Sequence, residues 1–129
     1  MSKFIVQTSQ APAAHGPYSQ GVLLDGWIWT SGQVALDPRT ASMVGSDAAA
    51  QADQALSNIE AILQAAGSNL ASVVRATVYL TNMDDFSSVN AVYSRYFPTD
   101  FPARACIEVS RLPLGALVEI DAVARVVAS

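Results

Sequence analysis

Phe101-Pro102-Ala103-Arg104-Ala105-Cys106-Ile107-Glu108-Val109-Ser110-Arg111-Leu112-Pro113 and, a few residues on, Val118-Glu119-Ile120-Asp121-Ala122-Val123-Ala124 carry two successive strands near the C-terminus, read over Ala105 to Val109 and Leu117 to Val127. Pro102 fixes its own φ and holds its neighbourhood out of the helical region, which helps to start the first strand. By alternation Arg104, Cys106 and Glu108 share one face of it, and Ala105, Ile107 and Val109 share the other. In the second strand Glu119, Asp121, Val123 and Arg125 fall together, a mixture of polar and apolar groups. A fixed guanidinium grips a carboxylate through paired hydrogen bonds. A fixed carboxylate can hold and deprotonate a water. An arginine early in one strand and a glutamate early in the next therefore point to hydrolysis of a small, carboxylate-bearing substrate.

Working outward, the rest of the chain supplies the elements that pack on these strands. Phe4-Ile5-Val6 reads as a short opening strand, and Ala11 to Pro17 as a loop broken by two prolines and a glycine. Gly21 to Leu24 and Trp27 to Ser31 flank Asp25-Gly26, a strong hairpin signal. Asp47 to Ala66 reads as a helix whose Ala52, Leu56, Ile59, Leu63 and Ala66 form one apolar stripe. Ser46 is placed to cap it, Asp47 suits its positive end, and Gly67 closes it. Val73 to Leu80 alternates, with Val74, Ala76, Val78 and Leu80 expected on one face. Asp84 to Phe97 reads as a second helix, capped by Asn82, stopped by Pro98, and buried through Phe86, Val89, Tyr93, Tyr96 and Phe97. The order predicts a single α+β domain over residues 1–129, a mixed sheet with two helices packed on one face. The sheet's second face is left either wet or buried in an oligomer.

Composition narrows the function. Half of the 129 residues are hydrophobic and 14% are charged, which is apolar for a small domain and fits burial between subunits, although an alanine-rich composition also raises the count. The net charge is −4, Lys3 is the only lysine and the six arginines are scattered, so no basic stripe exists to neutralise phosphates and no nucleic-acid partner is expected. No run approaches a membrane span, the N-terminus lacks the apolar stretch of a secretory signal, and Cys106 is alone; a cytoplasmic protein is expected. No His, Cys and acid set has metal-ligand spacing, and no metal or organic cofactor is expected.

Each candidate has a bland reading beside the chemical one. Arg104 is either a carboxylate clamp or a structural ion pair with one of the eleven acids. Glu119 is either a half-buried base beside a water or a solvent-facing strand residue; burial would raise its pKa and a nearby arginine lower it. Cys106 reads better as a small buried side chain than as a nucleophile, because His15, the only histidine, lies far off in a Pro/Gly loop. Asn90 shares helical spacing with Phe86 and Tyr93, so its amide bonds either a neighbouring segment or a substrate. Tyr18 either faces a pocket or packs in the core. Ser31 and Gly32 end a hairpin strand, where a hydrogen-bond donor, close backbone approach or plain turn chemistry all fit.

Taken together, Gly16-Pro17-Tyr18-Ser19-Gln20-Gly21, Thr30-Ser31-Gly32-Gln33, Ala65-Ala66-Gly67, Val89-Asn90-Ala91-Val92-Tyr93, the Pro102–Val109 block with Leu112-Pro113, and Val118–Ala124 resemble the RidA family, also called YjgF/YER057c/UK114. The resemblance spans almost the whole chain, and the Arg104/Cys106 block with Glu119 at its distance is its most specific part. It implies a chorismate-mutase-like fold assembled as a homotrimer, three sheets forming a central β-barrel with clefts between subunits. It also implies hydrolysis of reactive 2-imino acids or their enamine tautomers, such as 2-iminobutanoate and 2-iminopropanoate, to 2-oxo acids and ammonia. Arg104 would grip the substrate carboxylate, Glu119 would activate water, and the backbone carbonyl of Cys106 would help hold that water. Tyr18, Ser31, Gly32 and Asn90 would line the pocket, some from a neighbouring subunit. Leu114-Gly115-Ala116-Leu117 is more apolar than the family pattern. A trimeric carboxylate-binding regulatory module without turnover, and an RNase or translation inhibitor, are the alternatives.

Overall fold

Asp25 and Gly26 both adopt positive φ, 53° and 79°, and so close a two-residue turn between β2 (Gly21–Leu24) and β3 (Trp27–Thr30), as the Asp-Gly signal requires. In the computed structural model, which describes residues 2–127, the chain continues from β1 (Phe4–Val6) through this hairpin to α1 (Ala48–Ala65), β4 (Val73–Leu80), α2 (Phe86–Tyr96), β5 (Ala103–Glu108) and β6 (Val118–Arg125). One six-stranded sheet has the order β1-β2-β3-β6-β4-β5. Neighbours are antiparallel except β4 and β5, which are parallel and joined through α2, so the sheet is mixed as expected. No described helix is long and apolar enough to cross a membrane.

Both helices pack on one face. The α1 stripe of Ala52, Leu56, Ile59 and Leu63 meets Ile28 of β3, Ala76, Val78 and Leu80 of β4, and Val118, Ile120, Ala122 and Ala124 of β6, and Val89, Val92 and Tyr93 of α2 close the same core. Burial of this kind is the main stabilising term of the fold. Two buried amides then fasten loops to α1. The Asn58 amide nitrogen donates to the Val34 and Leu36 carbonyls at 3.2 and 3.0 Å. Gln51 donates to the Gly45 carbonyl and accepts from the Leu117 N–H at 2.8 Å. Both loops lead directly to residues of interest, Gly32 on one side and Glu119 on the other.

Several details differ from the sequence reading. Asp47, not Ser46, caps α1, its carboxylate accepting from the Ala50 N–H at 2.8 Å. A carboxylate there both satisfies an orphan donor and complements the helix dipole. Val74 faces solvent at 43% exposure because a bulge between Val73 and Arg75 rotates Val73 inward in its place. The second helix begins later than expected: a 3₁₀ turn over Met83–Asp85 precedes it, and Asn82 caps that turn rather than α2. Phe86 remains 36% exposed, and Val92 takes the buried position instead.

The sheet's second face carries no layer in the protomer. Register places Ile5, Val22, Trp29 and Val123 side by side across four strands, and Ile5 and Trp29 are 56% and 52% exposed.

Candidate functional site

Arg104 and Glu119 stand on opposite faces of the sheet. Arg104 pairs across β4 with Ala76, and Cys106 with Val78, so both belong to the helix-covered side. Glu119 pairs with Tyr79 on the open side, while Val118 and Ile120 on either side of it are fully buried. Alternation along β6 forces this outcome once Ile120 joins the core. Within one chain the two groups therefore face apart. Each instead gathers its own set of predicted residues.

The first set surrounds Arg104. Its Nη1 donates to Asn90 Oδ1 at 2.7 Å, its guanidinium carbon lies 4.7 Å from the centroid of the Tyr93 ring, and Phe86 stands at 5.5 Å. No carboxylate among the described residues pairs with it; the one ion pair there is Arg39 with Asp37. That removes the structural ion pair as an account of Arg104. A recess of about 390 Å³ opens beside it, lined by Asn90, Tyr93, Ser94, Phe101 and Pro102. Cys106, partly buried, packs its side chain against the core, and burial pushes its thiol pKa up against a smaller lowering by Arg104. A raised thiol pKa is the opposite of what a nucleophile needs.

The second set surrounds Glu119. Gln33 and Ile120 exchange backbone hydrogen bonds of 2.8 and 3.0 Å, a bridge that draws the Ser31-Gly32 segment against β6. Gly32 thereby meets the carboxylate so closely that a Cβ on it would lie 2.8 Å from the Glu119 carboxyl carbon. Ser31 Oγ donates to the Ser19 carbonyl at 2.5 Å. Gln20, buried, accepts from the Thr8 N–H and donates to the carbonyls of Thr8, Ala11 and Pro12. These bonds fix the loop that carries Tyr18, whose ring is 54% exposed. Tyr18 and Ser19 line a separate recess of about 560 Å³ with Thr8, Ala11 and Pro38. Burial raises the Glu119 pKa, and the like charge of Asp121, two residues along the same face, adds to it. Arg104 contributes no lowering of the kind the sequence left open, because the sheet separates them. His15 is exposed in the loop that precedes Tyr18.

Gly32→Ala is a specific probe of this contact. The new methyl meets the movable end of a side chain rather than backbone, so Glu119 gives way and the fold does not. The expected result is a fall in turnover of about 10- to 100-fold from a displaced carboxylate, with a midpoint of thermal unfolding within about 2 °C of the parent. Parallel melting and kinetic measurements check both halves.

Among the described residues, no group of three or more His, Cys, Asp or Glu side chains is placed to hold a metal ion. The sequence reading missed Tyr93 and Phe86 as neighbours of Arg104, although their helical spacing to Asn90 carried the signal. Nothing local could signal that Gly32 abuts Glu119.

The family model described as Endoribonuclease L-PSP matches residues 8–126. The chain belongs to the RidA/YjgF family. A Bos taurus relative, 2-iminobutanoate/2-iminopropanoate deaminase, is 52% identical over 93% of this chain and 88% of its own length. A RutC family protein of Synechocystis is 49% identical over 96% of this chain and 97% of its own length. Among solved structures, the YjgF gene product of E. coli superposes with a TM-score of 0.91 at 44% identity, covering 95% of this chain and 98% of that one. E. coli TdcF with bound serine gives the same TM-score at 38% identity, with the same coverage. The RidA/YjgF membership fits the mixed sheet with both helices on one face.

Proposed function

We propose that this RidA/YjgF protein is a cofactor-independent deaminase that hydrolyses 2-imino acids, with 2-iminobutanoate and 2-iminopropanoate as substrates, to 2-oxo acids and ammonia. The observation that carries the reading is the Arg104 guanidinium: seated on aromatic rings beside an open recess and joined to an amide, with no acid of its own chain among the described residues. A cation so placed is a receptor for an external carboxylate. The mammalian relatives named for this activity lend it their direction, and the serine bound to TdcF is itself a small amino-acid carboxylate.

The separation of Arg104 from Glu119 within one chain supports a site shared between protomers. A working site needs both, so one protomer contributes Arg104, Asn90 and Cys106 and the next contributes Glu119, Gly32, Ser31 and Tyr18. Three copies around a closed axis make three such clefts from one heterologous contact. The bare sheet faces, with their row of Ile5, Val22, Trp29 and Val123, then meet in a central barrel.

In that cleft the substrate carboxylate pairs with Arg104, and the imine carbon faces a water held by Glu119 and the Cys106 carbonyl. Glu119 takes a proton as the water oxygen bonds to the carbon of the protonated imine. Glu119 returns that proton to the amino nitrogen of the resulting carbinolamine and takes the hydroxyl proton as the C–N bond breaks, and the departing ammonia carries this proton away as ammonium, leaving the 2-oxo acid and an ionised Glu119. The imine is already electrophilic, so orientation of water supplies most of what the reaction needs.

The test couples the purified protein to a threonine dehydratase and traps surviving imine with semicarbazide. Shortened imine lifetime, together with a light-scattering mass of three chains, supports the proposal. Unchanged lifetime from a well-folded trimer refutes turnover and leaves a carboxylate-binding module.

A further inference from the structure

Tyr93 is 4% exposed, and its hydroxyl has no hydrogen-bond partner among the described residues. A buried, unpartnered phenol in a small core is unfavourable, and an apolar side chain of similar shape avoids the penalty. What the residue does make is a ring face 4.7 Å beneath the guanidinium of Arg104, with the ring itself braced by Phe97 at 4.6 Å between centroids. Asn90, one turn earlier on α2, takes a hydrogen bond from Nη1, and Phe86, one further turn back, flanks the same cation. Three residues at spacings of four and three thus present one helix face to a single guanidinium. Arginine carries five donors in a planar fork. The ring beneath the guanidinium restrains its tilt and the amide on one nitrogen restrains its rotation, which leaves the other donors free at the recess that Arg104 lines.

We infer that Tyr93 is a positioning residue for Arg104: its ring face, assisted by Phe86, sets the plane of the guanidinium so that the donors Asn90 leaves free meet a carboxylate in paired geometry. This rests on Arg104 being the carboxylate clamp. The ring does this work and the hydroxyl takes no part in it. Tyr93 touches no reacting atom, so it governs substrate affinity and the preference for a carboxylate over its neutral counterpart, and leaves the chemical step alone.

The experiment uses the full-length protein and reads two quantities: KM and kcat in the coupled imine assay, and the calorimetric affinity for 2-oxobutanoate against that for the uncharged 2-oxobutanamide. Tyr93→Leu raises KM and lowers the acid-over-amide preference by about tenfold, with kcat within about threefold of the parent. Tyr93→Phe restores both to within about threefold, since it keeps the ring and loses no hydrogen bond. A general packing defect would weaken acid and amide alike, and would not be rescued in preference alone. If Tyr93→Leu does not fold, the partly exposed Phe86→Leu reads the same shift at about threefold. A Leu variant that keeps its preference, or a Phe variant as poor as the Leu, overturns the inference. If Arg104→Ala itself keeps full affinity, the clamp has failed; if Arg104→Ala loses affinity while Tyr93→Leu and Phe86→Leu do not, only the role of Tyr93 has failed.

Discussion

Arg104→Ala lengthens the lifetime of 2-iminobutanoate to nearly that seen without protein, with kcat/KM down by about 10- to 150-fold. The contact it deletes is a charge-assisted, paired hydrogen bond to the substrate carboxylate, worth about 1.5–3 kcal/mol. Every 1.4 kcal/mol is about a factor of ten. Little stability is at risk, because Arg104 is solvent-exposed and makes no ion pair among the described residues. The melt should therefore stay close to the parent while activity falls. Arg104→Lys restores charge without the planar fork and should recover only a small part of the loss. Equal imine lifetimes for the parent and Arg104→Ala would end the assignment.

Glu119→Gln abolishes turnover and spares the affinity for 2-oxobutanoate, because it removes the proton acceptor and leaves the cation untouched. The expected loss is at least about 100-fold in kcat. The pH dependence follows from the raised pKa of Glu119, caused first by burial and then by Asp121. The base is active only when ionised, so the acid limb of kcat/KM lies above where an ordinary glutamate would place it. Stability runs the other way. The folded protein binds this proton more tightly than the unfolded chain does, so the stabilisation is fully present below the ordinary value and is lost as pH rises through the raised one. Glu119→Gln consequently melts higher than the parent at neutral pH, and the gap closes in acid. Thermal melts across that range check the sign.

The two inactive variants also test where the site lies. In the proposed trimer, mixed assemblies of Arg104→Ala and Glu119→Gln chains carry an intact Arg104 facing an intact Glu119 at about one cleft in three, if each cleft draws on two chains. Recovered activity after co-refolding supports the shared cleft. Persistent inactivity in verified mixed trimers excludes it.

The legible parts of this protein were those with a local cause. Asp25-Gly26 reports its own turn, and the α1 stripe reports its own buried face, because backbone preference and side-chain period act over a few residues. Gly32 and Glu119 are 87 positions apart in the chain, and the β3–β6 pairing, continued by the Gln33–Ile120 bridge, brings them together. The alternation of β5 and of β6 was readable in each strand, but their relative facing was not. β4 lies between them, and its registers with both decide that Arg104 joins the core side and Glu119 the open side. The bulge at Val74 breaks period two inside an otherwise regular strand, and no glycine or proline marks it. Phe86 was expected inside because its spacing fits the stripe; it stands instead at the rim, beside the cation it flanks.

Trp29 has its indole half bare on the open sheet face, while its neighbour Trp27 lies against the Arg125 guanidinium at 4.8 Å. The chain has no third tryptophan. If the proposed trimer forms through this face, its ultraviolet emission is a built-in gauge of association: dilution that parts the subunits exposes Trp29 to solvent and moves the fluorescence maximum to the red. Each preparation of such a trimer carries its own optical titration of quaternary state, readable at the concentrations where turnover is assayed.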